Sequence, residues 1–252
     1  MDAANTTKIM QEVIAAHGGM DYWNGLEALD AEISASGFLF TAKRRPALRR
    51  VRMRADTREP RFAFFDYPQA GQMAELIGNR EVRITDEHGR IIAQRENPRS
   101  AFRGIRRQFF WDDLDFIYFA GYATWNYLTA PFSLMRDGFV IKALAAASGD
   151  LAAYTRLHVT FPDDIPAHSR EQIFYFDEQR LLRRLDYTAE VVGGWAHAAH
   201  LCEEYRTFGQ IKAPTRRQVL PLLFGTRPLP GPTLVAIEVH WIQPAPASSA
   251  AV

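Results

Sequence analysis

Imidazole, phenol, amide and thiol side chains recur at alternate positions in the C-terminal part of the chain: His168, Arg170 and Gln172, then Tyr187, then His200 and Cys202. Residues two apart share a face of a strand, so a pair of hairpins would gather them. Placing Phe176 opposite Leu181 sets Gln172 against Leu185 and Arg170 against Tyr187. Folding the next hairpin at Gly193-Gly194 sets Tyr187 against His200, Leu185 against Cys202 and Arg183 against Glu204, an opposite-charge pair that favours this register. A one-residue slip would instead gather Glu171, Asp186, Glu190 and His197. Either face brings imidazole near a phenol or carboxylate, the raw material of general acid–base chemistry at neutral pH. His168, Tyr187, His200 and Asp186 are therefore the candidate acid–base groups, and Arg170 is a candidate anchor for a ligand. A solvated sheet face would show the same alternation.

Other chemistries find less support. His197 and His200 are three apart, which on a strand points them to opposite faces, so no metal site is expected. Cys202 is the only cysteine, which excludes an internal disulfide and a multi-cysteine zinc site. No glycine-rich dinucleotide fingerprint, phosphate-binding loop or Gly-x-Ser-x-Gly elbow is present, so no cofactor is implied and the common serine hydrolases are disfavoured. Two basic clusters stand out: Lys43, Arg44, Arg45, Arg49, Arg50, Arg52 and Arg54, and Arg99, Arg103, Arg106 and Arg107. They could dock an anionic headgroup, a carboxylate ligand or a membrane surface, but the near-neutral total favours a solvated strand face balanced by acids elsewhere. The total of 30 basic and 29 acidic residues leaves a net charge of +1, which argues against nucleic acid as a partner.

The elements that would position these groups follow from periodicity. Ile9, Met10, Val13, Ile14 and His17 mark one face of an opening helix that ends near Gly18. Strands are expected at Leu48–Ala55, Arg61–Tyr67, Glu81–Asp86 and Ile91–Arg95. Asp112, Asp113 and Asp115 begin a helix that Pro131 stops. Phe116 to Met135 is free of charge and long enough for a membrane span, yet Thr124, Asn126, Thr129, Ser133 and its many aromatics mark a buried helix. Tyr118, Phe119, Tyr122 and Trp125 lie on it and are the candidate ligand-binding aromatics. Further strands are expected at Ser169–Phe176, Leu181–Glu190, Ala196–Arg206, Ile211–Leu220 and Thr233–Gln243. The chain of 252 residues, 47% hydrophobic, reads as one α+β domain over 1–243 with an Ala/Ser/Pro tail over 244–252. Its curled antiparallel sheet, a half-barrel, would wrap the N-terminal helix and the aromatic-rich central helices, because a helix apolar all round needs a concave surface to cover it. The first residues lack the basic and apolar regions of a secretory signal, which predicts a cytoplasmic location.

Local stretches carry a family resemblance. Ala16-His17-Gly18-Gly19 with Trp23, Leu26 and Leu29, the hairpin Phe174–Asp177 through Leu181–Tyr187, and Gly209–Thr215 are similar to the outer-membrane lipoprotein carrier superfamily, the fold of periplasmic lipoprotein chaperones. More narrowly, the chain looks like bacterial proteins of similar length that share its aromatic central segment. The resemblance implies an antiparallel half-barrel closed by helices around an apolar cavity that holds acyl chains. The expected function is binding of a hydrophobic small molecule or lipid-like ligand, with no stable membrane insertion. The alternative is a cofactor-independent enzyme, a lyase or isomerase, performing isomerisation, dehydration or cyclisation in the same cavity. A third possibility, an assembly protein, would require a large exposed apolar patch.

Overall fold

The computed structural model describes residues 3–222 and 226–247. The first half of the chain is a meander of β1 (Leu26–Ser36), β2 (Leu48–Asp56), β3 (Arg61–Phe65), β4 (Met73–Ile77), β5 (Glu81–Thr85) and β6 (Ile91–Glu96). The second contains β7 (Val140–Ala143), β8 (Thr155–Thr160), β9 (Glu171–Phe176), β10 (Leu182–Thr188), β11 (His197–Phe208), β12 (Ile211–Pro221) and β13 (Val235–Pro246). Strands β1 and β13 pair from Leu26↔Pro246 to Ser36↔Ala236. This fuses the two meanders into one antiparallel 13-stranded sheet with β6 and β7 at its ends. The helices are α1 (Ala3–His17), α2 (Met20–Asn24), α3 (Phe38–Ala42), α4 (Arg106–Phe109) and α5 (Asp113–Thr129). Helix α1 packs on β7 and β12, and α5 packs on β2 to β6, so the curled sheet encloses both.

The α5 start follows from its sequence. Asp112 accepts from the Asp115 N–H at 2.9 Å, and Asp115 accepts from the Asp112 N–H at 3.1 Å. This reciprocal capping satisfies donors that a helix start leaves unpaired. Ile117, Tyr118, Tyr122 and Trp125 are fully buried, as a helix apolar on every side requires. Gly121 sits where a Cβ would lie 3.1 Å from the Leu76 Cβ, so the missing side chain lets α5 lie close on β4. No helix among the described residues is long and apolar enough to cross a membrane.

The two ends of the sheet do not pair with each other. Side chains bridge them instead: Asn79, after β4, donates to the Asp163 carbonyl at 3.0 Å, and Arg99 donates to the Ala167 carbonyl at 2.8 Å.

Several expectations are corrected. Strands β4, β7 and β8 were not anticipated, being short and interrupted by Ala, Glu, Lys or His. Pro244 and Pro246, expected in a frayed tail, belong to β13. Strand β12 pairs with β13 only from Arg216↔Glu238 to Val219↔Val235. Beyond that point β13 has one open edge, where prolines that lack an N–H are accommodated. Residues 248–252 lie outside the described residues. The hairpin registers also differ. Phe174 faces Leu185, Tyr187 faces Ala198, and His200 faces Leu185. The β10–β11 turn closes at Ala189, whose carbonyl accepts from the Val192 and Gly193 amides, and is not centred on Gly193-Gly194. A bulge between Leu182 and Arg184 shifts the other hairpin. Each net shift is two residues, so the faces survive although the partners change.

Candidate functional site

Helices α3 and α5, strands β1 and β2, and the inner faces of β10 to β13 enclose a cavity of about 260 Å³. Ile33, Phe40, Leu48, Met53, Phe116, Phe119, Ala123, Val219 and Ile237 are among its apolar lining. Phe38 and Trp195 line it too and are largely exposed, which puts the mouth beside them. Tyr127, His168 and Tyr187 form a polar group on the lining that is buried from solvent.

His168 lies in the loop between β8 and β9, and α5 holds that loop. Asn126 donates to the Pro166 carbonyl at 2.8 Å, Arg99 reaches the Ala167 carbonyl, and the Glu190 N–H donates to the His168 carbonyl at 3.1 Å. The imidazole stacks on Tyr187, with centroids 4.1 Å apart and planes 7° from parallel. Its Nδ1 is 3.1 Å from the Tyr122 hydroxyl, and its Nε2 is 2.6 Å from the Tyr127 hydroxyl. The Tyr127 hydroxyl lies in turn 3.2 Å from that of Tyr187. Burial, reinforced by the positive charge of Arg99, lowers His168 to about 3, so the ring is neutral at physiological pH and carries one N–H.

Proton counting then fixes the direction of this chain. If Tyr187 donated to Tyr127 and Tyr127 to Nε2, Nδ1–H would donate to Tyr122. The Tyr122 proton would then lack an acceptor among the described residues, in a fully buried position outside the cavity, at a cost of roughly 1–3 kcal/mol. In the opposite direction Tyr122 donates to Nδ1, Nε2–H to Tyr127, and Tyr127 to Tyr187. The one unspent proton is then that of Tyr187, which lines the cavity. Burial raises the Tyr122, Tyr127 and Tyr187 phenols, so all three stay protonated and able to donate.

A second buried group lies on the far side of Tyr127. Its ring meets His200 edge-on at 4.3 Å and the Arg217 guanidinium at 5.2 Å. Arg217 donates to the Tyr127 carbonyl at 2.6 Å and to the Cys202 Sγ at 3.2 Å. No carboxylate pairs with it among the described residues. Burial depresses His200, and Arg217 adds to the effect. Neither ring nitrogen of His200 has a hydrogen-bond partner among the described residues. Burial pushes the Cys202 thiol up, against the pull of Arg217, which disfavours a thiolate nucleophile.

The sequence-derived candidates divide accordingly. His168, Tyr187 and Phe119 line the cavity, and Tyr122 reaches it through His168. His200 faces the same interior, one ring further on. Trp125 is buried away from the cavity, its Nε1 donating to the Asp56 carbonyl at 2.8 Å. Tyr118 donates to Asn79 at 3.0 Å, also outside the cavity. Asp186 lies on the opposite sheet face, bound to Arg184 at 2.6 Å and to the Tyr175 hydroxyl at 2.7 Å. Arg170 points to solvent and pairs with Asp163. The latter four are not brought into the site: α5 turns its 118 and 125 positions toward the sheet, Asp186 takes the strand face opposite that of Tyr187, and Arg170 lies in the loop before β9 begins. Sequence reasoning did not select Tyr127 or Arg217. Tyr127 stood within the aromatic run, and Arg217 is a lone charge on the otherwise buried face of β12 formed with Thr215 and Val219, the signal that could have found it.

This architecture has a counterpart among solved structures. A LolA superfamily protein from Nitrosomonas europaea matches over 96% of this chain and 94% of its own, with 12% sequence identity and a TM-score of 0.54. The fold is LolA-like. A DUF1329 family protein from Desulfovibrio piger covers 95% of the chain and 92% of its own at 11% identity and a TM-score of 0.49. No protein-family model and no curated protein sequence matches. In this LolA-like sheet, the cavity lies against the strands where the two meanders join and the turn that closes β10 onto β11.

Proposed function

We propose that the protein binds a lipid-like or other hydrophobic molecule in the cavity, with a neutral hydrogen-bond acceptor of that molecule placed against Tyr187. The observation that carries this reading is an apolar chamber whose buried polar group ends in a single unspent O–H donor. The LolA-like fold supports it. The volume is slightly below the roughly 300–1,000 Å³ of typical small-molecule sites, which suits one chain or one compact apolar molecule. Acid–base catalysis on a hydrophobic substrate in the same cavity is less well supported. A base lowered to about 3, with both nitrogens engaged, is poorly matched to proton transfer near neutrality.

The test is fluorescence titration with N-phenyl-1-naphthylamine, followed by displacement with a medium-chain acyl methyl ester. Ala123→Trp, which fills the chamber from α5, is expected to weaken probe binding at least tenfold while the far-ultraviolet spectrum stays native. Val219→Trp does the same from the opposite wall. Folded variants that both bind the probe as tightly as the parent would overturn the proposal.

A further inference from the structure

The rim of the cavity carries the most exposed apolar side chains described in the molecule. Ile105 is 82% exposed, Trp195 68%, Phe109 67% and Phe38 55%. They are spatially linked. Phe38 and Trp195 line the cavity mouth together with Gln108. Ile105 and Phe109 are four residues apart around α4, so they project from the same side of it. Helix α4 is fastened to α3 by Lys43, which donates to the Arg107 and Gln108 carbonyls at 3.1 and 2.6 Å. Gly37 fixes α3 in turn, since a Cβ there would lie 2.5 Å from the Leu234 carbonyl oxygen.

The charges around this patch that lack an ion-pair partner have one sign. Arg44, Arg103 and Arg106 are exposed and have no carboxylate partner among the described residues. The neighbouring acids are already engaged: Asp113 by Arg45, Asp112 by Arg95 and Arg107, and Glu190 by Arg99. Exposed apolar and aromatic side chains rimmed by unpaired arginines match the boundary of an anionic bilayer, where aromatic rings sit at headgroup depth and cations meet phosphate. Association of two copies through the same patch would instead set these arginines against their own counterparts.

We infer that the mouth of the cavity is a docking surface for an anionic lipid bilayer, with Ile105, Phe109, Phe38 and Trp195 entering the interface and Arg103, Arg106 and Arg44 meeting headgroups. The cavity then opens toward the membrane. The inference goes beyond ligand binding and stands or falls separately from it.

Co-sedimentation with phosphatidylglycerol-containing vesicles and with pure phosphatidylcholine vesicles tests it. The full chain is expected to bind the anionic vesicles at least fivefold more tightly than the neutral ones, with the difference shrinking at high salt. Ile105→Ser with Phe109→Ser, and separately Arg103→Glu with Arg106→Glu, should each reduce binding at least fivefold. Neither pair lines the cavity, so naphthylamine binding should not change. Absence of binding to any vesicle, or binding that both double variants retain, overturns the inference. So does concentration-dependent dimerisation that Ile105→Ser with Phe109→Ser abolishes, because the patch then serves a second copy. A chain that docks on vesicles yet takes up no probe leaves docking in place and removes the ligand reading alone.

Discussion

The two ends of α5 bury polar groups in opposite ways. At the N-terminus the solution is ionic and closed. Arg95 binds Asp112 at 2.8 Å and Asp115 at 2.6 Å, and Arg107 binds Asp115 at 2.8 Å. Burial works against ionisation of Asp112, but the hydrogen bonds from Arg95 and the Asp115 N–H outweigh it and hold the carboxyl at about 2. At the C-terminal end, with the Arg217 guanidinium behind Tyr127, the imidazole and phenols are neutral, share protons along a directed chain, and finish on a donor that faces an apolar space. The first cluster leaves nothing for a ligand and acts as a weld between helix, β6 and α4. The second has a donor to spare. An ionic group of two carboxylates and two guanidiniums spends its charges on one another, whereas a chain with one unspent proton leaves a donor that the proposed ligand would take.

Three experiments sharpen this contrast. The largest effect is expected at the ionic end: Asp115→Ala leaves Asp112 as the one carboxylate shared by Arg95 and Arg107 and removes one half of the reciprocal helix cap, and should cost about 3 kcal/mol, read by urea unfolding. A loss below about 1 kcal/mol would show that the weld is unnecessary. Next comes acidification, which separates the two ends by pH. His168 falls from its ordinary 6.5 to about 3 and His17, buried at the end of α1 against Phe176 and Tyr205, to about 4. The unfolded chain binds protons that the folded chain refuses, so stability is complete above pH 6.5 and declines below it. Between pH 6.5 and 5.5 each buried neutral histidine should remove about 1 kcal/mol. Asp112 acts in a lower window, its contribution present above the ordinary 3.8 and lost as the pH falls toward 2. Thermal melts that stay flat from pH 7 to 4.5 would contradict the neutral histidines. The smallest effect belongs to Tyr187→Phe, which removes the spare donor and with it the acceptor of the Tyr127 hydroxyl. Stability should fall by about 1 kcal/mol, since the freed Tyr127 proton also faces the cavity, while binding of an acyl ester weakens about 3- to 10-fold. Calorimetric titration that returns equal affinities would deprive Tyr187 of its role.

The sequence made the core more legible than the site. The buried face of α1, the capping acids of α5 and most strands follow from local periodicity, and local periodicity is what a single chain displays. The set His168, Tyr187, His200 and Cys202 was readable on one interior because strand alternation survives a register error of two. Tyr127 and Trp125 could not be ranked in advance. Both are buried aromatics on one helix, and only the packing of α5 on the sheet decides which faces the cavity. Arg170 was drawn in by carrying strand alternation back to a residue that precedes β9, and Asp186 by the alternative one-residue register, which the fold does not adopt. The patch at Ile105 and Phe109 was likewise invisible, because apolar residues in a basic segment look the same whether covered or bare.

The bridge between the two ends of the sheet sets how the molecule can deform. Parting any two neighbouring strands would break a ladder of backbone hydrogen bonds. Parting the ends gives up side-chain contacts, those of Asn79 and Arg99 and those by which Asn126, Tyr122 and Tyr127 of α5 hold the β8–β9 loop, at about 0.5–1.5 kcal/mol each. The girth of the half-barrel is therefore governed at its seam. Its compliance is concentrated in one direction, across the clasp, while the wall of strands keeps its register.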